Sequence, residues 1–250
     1  MSQQTNEQRP DKIEAGEIVV RSRFLTWLDN YWYHYKFPTI VVLFALFICT
    51  VCFVQCTRRE TGDVTVTFGG SYDLVGEEKE AFLDVLNAIA PKNEKSGEAM
   101  SVIMTSYSIY TEEELRSRFF DEEGKFDEVS YQTAKNFNTD RIKDFGSYLM
   151  TGESAVLFVN QFIFDYQNMA TLAVPLSELY GDAVPGSACN EYAIRLGDTD
   201  FYRYYPAVQV LPEDTMIVLC KSYIWGASSD EETYAEFEAL FRAIVEFKAP

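Results

Sequence analysis

Between Phe37 and Val54 the chain reads FPTIVVLFALFICTVCFV, eighteen residues without one charged side chain. As an α-helix rising 1.5 Å per residue this stretch spans roughly 27 Å, close to the hydrocarbon thickness of a bilayer. Tyr31, Trp32, Tyr33 and Tyr35 precede it as an interfacial aromatic belt would, and Arg58 and Arg59 close its far end. Pro38 falls where a first helical turn tolerates proline. The stretch therefore predicts a transmembrane helix over 37–57. Two rival uses of an apolar segment fit less well. A signal peptide has a shorter apolar core, a shorter leader and a small-x-small cleavage site. A lipoprotein anchor needs a small residue before its cysteine, whereas Cys49, Cys52 and Cys56 follow Ile48, Val51 and Gln55. These three cysteines read as apolar helix residues.

The flanks follow from the span. Residues 1–17 are polar and predict a disordered cytoplasmic tail. Over 18–36, apolar side chains at Ile18, Phe24, Leu25, Leu28, Tyr31, Trp32 and Tyr35 recur at helical spacing. That predicts an amphipathic helix lying in the headgroup region, with partner binding as its other use. About 36 residues hold no kinase, output or nucleotide-binding domain. Arg21, Arg23 and Lys36 face Arg58 and Arg59 across the span, so the positive-inside rule places the N-terminus in the cytoplasm. A linker over 58–62 then leads to an extracytoplasmic domain over 63–250 of a single-pass cell-membrane protein.

Charge separates the two parts. The formal net charge is −18; residues 1–60 carry seven basic and six acidic side chains, leaving 14 basic and 33 acidic beyond them. Such a domain repels phosphate backbones, which argues against nucleic-acid binding; its plainest use is solubility.

Within 63–250 the pattern predicts an α/β domain. DVTVTFGG (63–70) reads as a strand and turn, 76–91 as a helix stopped by Pro91, and 99–110 as a second strand. Thr111 and Glu114 form a capping-box pattern opening a short helix. A polar loop, DEEGKFDE (121–128), precedes a long helix from about Ser130 to Met150. SAVLFVN (154–160) is a buried strand, QFIFDYQNMATLA a short helix and VPLSELYG a turn with a helical stub. This order is the signature of a mainly parallel sheet with helical crossovers. Further on, 191–197 reads as a strand, DTDFYRYY as a polar-aromatic loop, and AVQVLPEDTMIVLCK as two antiparallel closing strands around Pro212-Glu213-Asp214. An amphipathic helix closes the pattern over 230–247.

Much chemistry is missing. The single histidine, His34, lies in the leader, so the domain has no histidine for a Ser-His-Asp triad, a Cys-His pair or a histidine-ligated zinc. No Walker A motif, GxSxG elbow or complete EF-hand loop occurs, and DEEGKFDE reads as a solvated loop, with weak calcium binding as its alternative. No cofactor is expected. Paired carboxylates for hydrolysis are available but none stands out. Cys189 and Cys220 either form a disulfide in an oxidising space or leave Cys220 as a buried apolar thiol.

SYLMTGES, AVLFVN and FDYQNMATLAVPLSELYG in succession resemble extracytoplasmic solute-binding proteins of bacterial importers. Gly152 supplies that family's turn, Ala155 to Asn160 its strand, and Pro175, Leu176, Glu178 and Leu179 its Pro-Leu step. DVTVTFGG is similar to its first strand and SVIMTSYSIY stands where its second would be, so the order matches over about 63–181. The resemblance implies one lobe of a periplasmic-binding-protein fold. Only about 70 residues remain for a second lobe, and a membrane helix replaces the usual free or lipid-anchored form. The layout as a whole is similar to single-pass membrane proteins of Gram-positive bacteria.

A ligand site in such a sheet lies at the C-terminal edge of its parallel strands. The positions there are Gly69, Gly70 and Ser71, then Tyr107 and Ser108, then Asn160 and Asp165. Each has a structural alternative: turn glycines, a solvated helix residue, ordinary packing. The aromatics of 198–206 likewise serve either stacking on a sugar or peptide, or packing. Three functions are carried forward: a non-catalytic membrane-tethered module binding a small molecule or a membrane-protein partner, a structural subunit of a membrane complex with a vestigial pocket, and a carboxylate-pair hydrolase.

Overall fold

A computed structural model describes residues 23–57, 62–93 and 97–250. It divides the chain into two units, 1–59 and 60–250. The expected tail over 1–17, the start of the 18–36 segment and most of the 58–62 linker lie outside the described residues.

The first unit holds one helix, α1 (Arg23–Thr57). It runs unbroken through the expected boundary at residue 37, carrying Pro38 within it. The sequence division there is one of chemistry and not of conformation. Trp27, Tyr31 and Tyr35 stack at i, i+4 spacing, with ring centroids 5.6 and 5.3 Å apart, and the Tyr31 and Thr39 hydroxyls lie 2.9 Å apart. Tyr31–Phe53 is long and apolar enough to cross a membrane, and none of its side chains is buried by protein.

The second unit is α/β, with a five-stranded mixed sheet in the order β2-β1-β3-β5-β4. Its strands are β1 (Val64–Gly70), β2 (Val102–Ser108), β3 (Val156–Val159), β4 (Ala193–Arg195) and β5 (Met216–Leu219). β1 pairs in parallel with β2 on one side and β3 on the other; β5 is antiparallel to both β3 and β4. The chain thus moves from β1 to one side through α2 (Gly76–Ile89), then crosses back over β1 through α3 (Glu112–Ser117) and α4 (Glu128–Leu149).

Layering follows from the strand period of two. Phe158 on β3 meets Phe82 of α2 edge-on at 5.5 Å, and its register partner is Phe68. Gly69, one residue out of phase, faces the Phe145 ring of α4. Helices therefore cover both faces. α9 (Glu231–Val245) joins α2, burying Phe237, Leu240, Phe241, Ile244 and Val245 at i, i+3, i+4 spacing; Asp230 caps it by accepting from the Thr233 N–H. With β2 and β3 on its two sides and helices above and below, β1 is buried almost throughout, Thr67 included. The expected turn at Gly69-Gly70 is not there: both glycines belong to the strand.

Other expectations need correction. QFIFDYQNMATLA is not one helix but α5 (Gln161–Tyr166) and α6 (Met169–Leu172), broken where Asn168 takes the left-handed conformation at φ 50°. α7 (Leu176–Tyr180) follows the Pro-Leu step. DTDFYRYY is not a loop: Thr199 caps α8 (Asp200–Tyr204), and Phe201 is buried against Tyr205 and Phe247. These aromatics pack. AVQV forms a 3₁₀ turn over Val208–Val210 and not a strand, because β3 and β4 already occupy both sides of β5. Cys189 and Cys220 are free. Cys220 ends β5 with its N–H on Ala155, fully buried, and burial pushes its thiol up to about 12. Cys189 sits beside β4, its sulfur 3.4 Å from the Ala193 carbonyl oxygen.

Gly69 tests this packing. A Cβ there would lie 2.7 Å from the Phe145 ring. Gly69→Ala should destabilise the domain by about 1–3 kcal/mol, read by chemical denaturation of the solubilised chain.

Candidate functional site

The parallel direction of β1, β2 and β3 gathers the segments after Gly70, Ser108 and Val159 at one edge of the sheet. Because β2 and β3 leave β1 on opposite sides, this edge is the topological switch point. Side chains close the space directly above β1 and β3. Asn160 caps α5 with its Oδ1, accepting from the Ile163 N–H, and turns its Nδ2 to the Ser71 hydroxyl at 3.0 Å. Ser71 in turn donates to Glu114 Oε2 at 2.9 Å.

Glu114 arrives there because of the local sequence. Thr111 and Glu114 form both halves of a capping box: the Thr111 hydroxyl accepts from the Glu114 N–H, and the Glu114 carboxylate accepts from the Thr111 N–H. The box ties α3 to the end of β2, and Ser71 ties it to β1. Burial pushes the Glu114 carboxyl up, but the Thr111 N–H, the Ser71 hydroxyl and the Thr111 hydroxyl outweigh it and hold it below the ordinary value.

Beside this closed chain the edge opens into a cleft of about 390 Å³ between the β1–α2 segment and α3. Asp73, Tyr110, Glu114 and Arg118 shape it, with Ser71 and Tyr72 at its rim. Asp73 Oδ2 accepts from the Tyr110 hydroxyl at 2.6 Å and from Arg118 Nη2 at 3.3 Å. The Arg118 guanidinium also lies over the Tyr110 ring, 4.4 Å from its centre. Tyr110 is fixed from behind by the buried Asn138 of α4, whose amide accepts from the Tyr110 N–H and donates to its carbonyl at 2.9 and 2.8 Å. Burial raises the Asp73 carboxyl, yet hydrogen bonds from Ser108, Tyr110 and Arg118 hold it below the usual carboxylate range. Burial first, and then the bond to Asp73, push the Tyr110 phenol up.

The sequence candidates divide over this geometry. Ser71 and Asn160 meet in the network, Ser71 also lining the cleft, while Ser108 hydrogen-bonds to Asp73. Gly69 and Gly70 are buried and yield their space to Phe145 and Phe68. Tyr107 packs edge-on against Phe145 at 5.4 Å. Asp165 accepts from Gln161 on its own helix and is not among the cleft-lining residues. Sequence reasoning missed Asp73, Tyr110 and Arg118. The capping box at Thr111 was the available signal, since it fixes what stands immediately after β2.

Neither cleft carboxyl is raised toward neutrality, so neither is poised to give up a proton near pH 7. In DEEGKFDE, Asp121 accepts from the Glu123 and Lys125 N–H groups, and Asp127 caps α4. Among the described residues no group of three or more His, Cys, Asp or Glu could hold a metal ion. No family model, curated protein or solved structure matches the chain.

The lowered Asp73 value has a pH consequence. The stability it supplies is fully present above the unfolded carboxylate value near about 3.9 and is lost as pH falls through the lower folded value. Asp73→Asn should therefore reduce stability at neutral pH and flatten its decline in acid. Denaturation midpoints measured from neutral to strongly acid pH check this; an unchanged acid slope would refute the assignment.

Proposed function

We propose that this chain is a single-pass membrane protein whose C-terminal α/β domain lies outside the cytoplasm and binds a small polar ligand without catalysis. The observation that carries the reading is the cleft beside the switch point. It sets two ionised carboxylates, Asp73 and Glu114, within one concavity with the Arg118 guanidinium and the Tyr110 ring. Opposite charges at close quarters in a shaped cleft complement a small zwitterionic or polyhydroxylated molecule, such as an amino acid, short peptide or sugar.

Membrane tethering is supported by the uncovered apolar face of α1, and the orientation by the basic side chains before it and the acidic domain beyond it. The relation to one lobe of solute-binding proteins rests on the sequence resemblance, with the β1-α2-β2 and β2-α4-β3 parallel units supporting it. Without a second lobe to close over the cleft, binding would be open-faced and of modest affinity.

A thermal-shift screen of the full chain in detergent tests the reading. Ligand at a hundredfold excess over its dissociation constant should stabilise the domain by about 2.7 kcal/mol. The shift should appear within one class among amino acids, short peptides and sugars, and vanish in Arg118→Ala. Flat melting temperatures across all three classes would overturn the binding function.

A further inference from the structure

We infer that the turn Tyr223-Ile224-Trp225, at the edge of the sheet opposite the cleft, docks on the lipid interface of the membrane that holds α1. The inference rests on the membrane reading of α1 and goes beyond it, to a contact made by the folded domain itself.

The turn is apolar, exposed and held in place. Ile224 is 84% exposed and Trp225 71%. Together with Met150 and Leu172 they border an open concavity of about 590 Å³. Large apolar side chains gathered this way on a soluble face mark a contact site. The turn is not a loose tip. Gly152 (φ 68°) and Gly226 (φ 74°) pack backbone to backbone, and at either one a side chain would run into the other segment's main chain. The Ser228 N–H donates to the Gly152 carbonyl at 2.8 Å, and the Tyr223 hydroxyl reaches Met150 Sδ at 2.8 Å. The backbone thus keeps Ile224 and Trp225 facing outward.

Chain connectivity decides what they meet. β1 and β3 are parallel and β5 is antiparallel to them, so the end of β5 lies at the same sheet edge as the start of β1. The Ser154 hydroxyl donates to the Thr65 carbonyl at 2.7 Å and the Cys220 N–H to the Ala155 carbonyl at 2.8 Å, fixing that edge. Val64 follows Thr57, the last residue of α1, by seven Cα steps, a covalent reach of at most about 25 Å. The tether therefore enters the domain at this edge, within that reach of a bilayer that holds α1. The composition suits a headgroup boundary: Tyr and Trp flank an aliphatic side chain, and Lys221 precedes them. Asp63 and Glu153 stand at the same edge, so the surface it fits is zwitterionic and not strongly anionic.

The test uses the three tryptophans, Trp27, Trp32 and Trp225. The full chain is reconstituted in phosphatidylcholine bilayers with brominated acyl chains in both leaflets. Trp27→Phe with Trp32→Phe leaves Trp225 as sole reporter; Trp225→Phe leaves the two in α1. In the first variant emission should shift to the blue and fall by about half or more, most strongly with bromines near the headgroup end of the chains. Quenched α1 tryptophans with an unquenched Trp225 would overturn the docking inference and leave the membrane reading standing. Unquenched α1 tryptophans with an unquenched Trp225 would overturn the membrane reading and the docking with it. A Trp225 shielded from lipid but cross-linked to a second copy or another protein would also overturn the docking.

Discussion

The parallel pairing of β1 with both β2 and β3 is the constraint on which the rest of the domain depends. It buries β1 on both faces and both sides, which is why Thr67 and Gly69 sit in the core with Val66 and Phe68. It also gives the sheet a polarity. Every segment that builds the cleft leaves the C-terminal edge, and the chain enters from α1 at the other. Antiparallel β5 then carries the Tyr223–Trp225 turn to the entry edge. The two proposed contacts, one with a polar ligand and one with lipid, are separated by the length of the strands.

At the cleft, the physical work is done by hydrogen bonds that hold charge in place. Asn160, Ser71 and Glu114 form a relay joining β3, β1 and α3, while Asn138 and Arg118 fix Tyr110 and Asp73. Partly buried carboxylates are tolerated because each accepts from several donors, and those donors outweigh the cost of desolvation. The same saturation that makes them stable anions removes them as proton donors at neutral pH.

How far the sequence was legible depended on whether a signal was local. The capping box at Thr111 and Glu114 formed as written, because its partners are three residues apart. The strands at 64–70, 102–108, 156–159, 193–195 and 216–219 were found, as were the long helices, from their periodicity. The failures at AVQV and DTDFYRYY share one cause. A β-prone run became a 3₁₀ turn because both sides of β5, the strand it was expected to join, were already taken by β3 and β4, and a polar-aromatic run became helical because Phe201 had a core to enter. Both outcomes turn on neighbours distant in sequence. Of the positions read from the sequence, Ser71 lines the cleft and Asn160 and Ser108 hydrogen-bond to residues that line it, whereas Gly69, Gly70 and Tyr107 serve packing.

By itself, the sequence determined the apolar helix, the separation of charge between leader and domain, the absence of histidine chemistry, and the alternation of strands and helices. All of these are properties of composition or of short-range periodicity. Only the tertiary structure decided that Asp73, Tyr110 and Arg118 meet, that Cys189 and Cys220 do not, and that Trp225 stands at the edge where the chain enters. Those facts come from strand order and direction, which bring together residues 37 to 45 positions apart in the cleft. No local pattern encodes such pairings, because they depend on which strand each segment finds beside it.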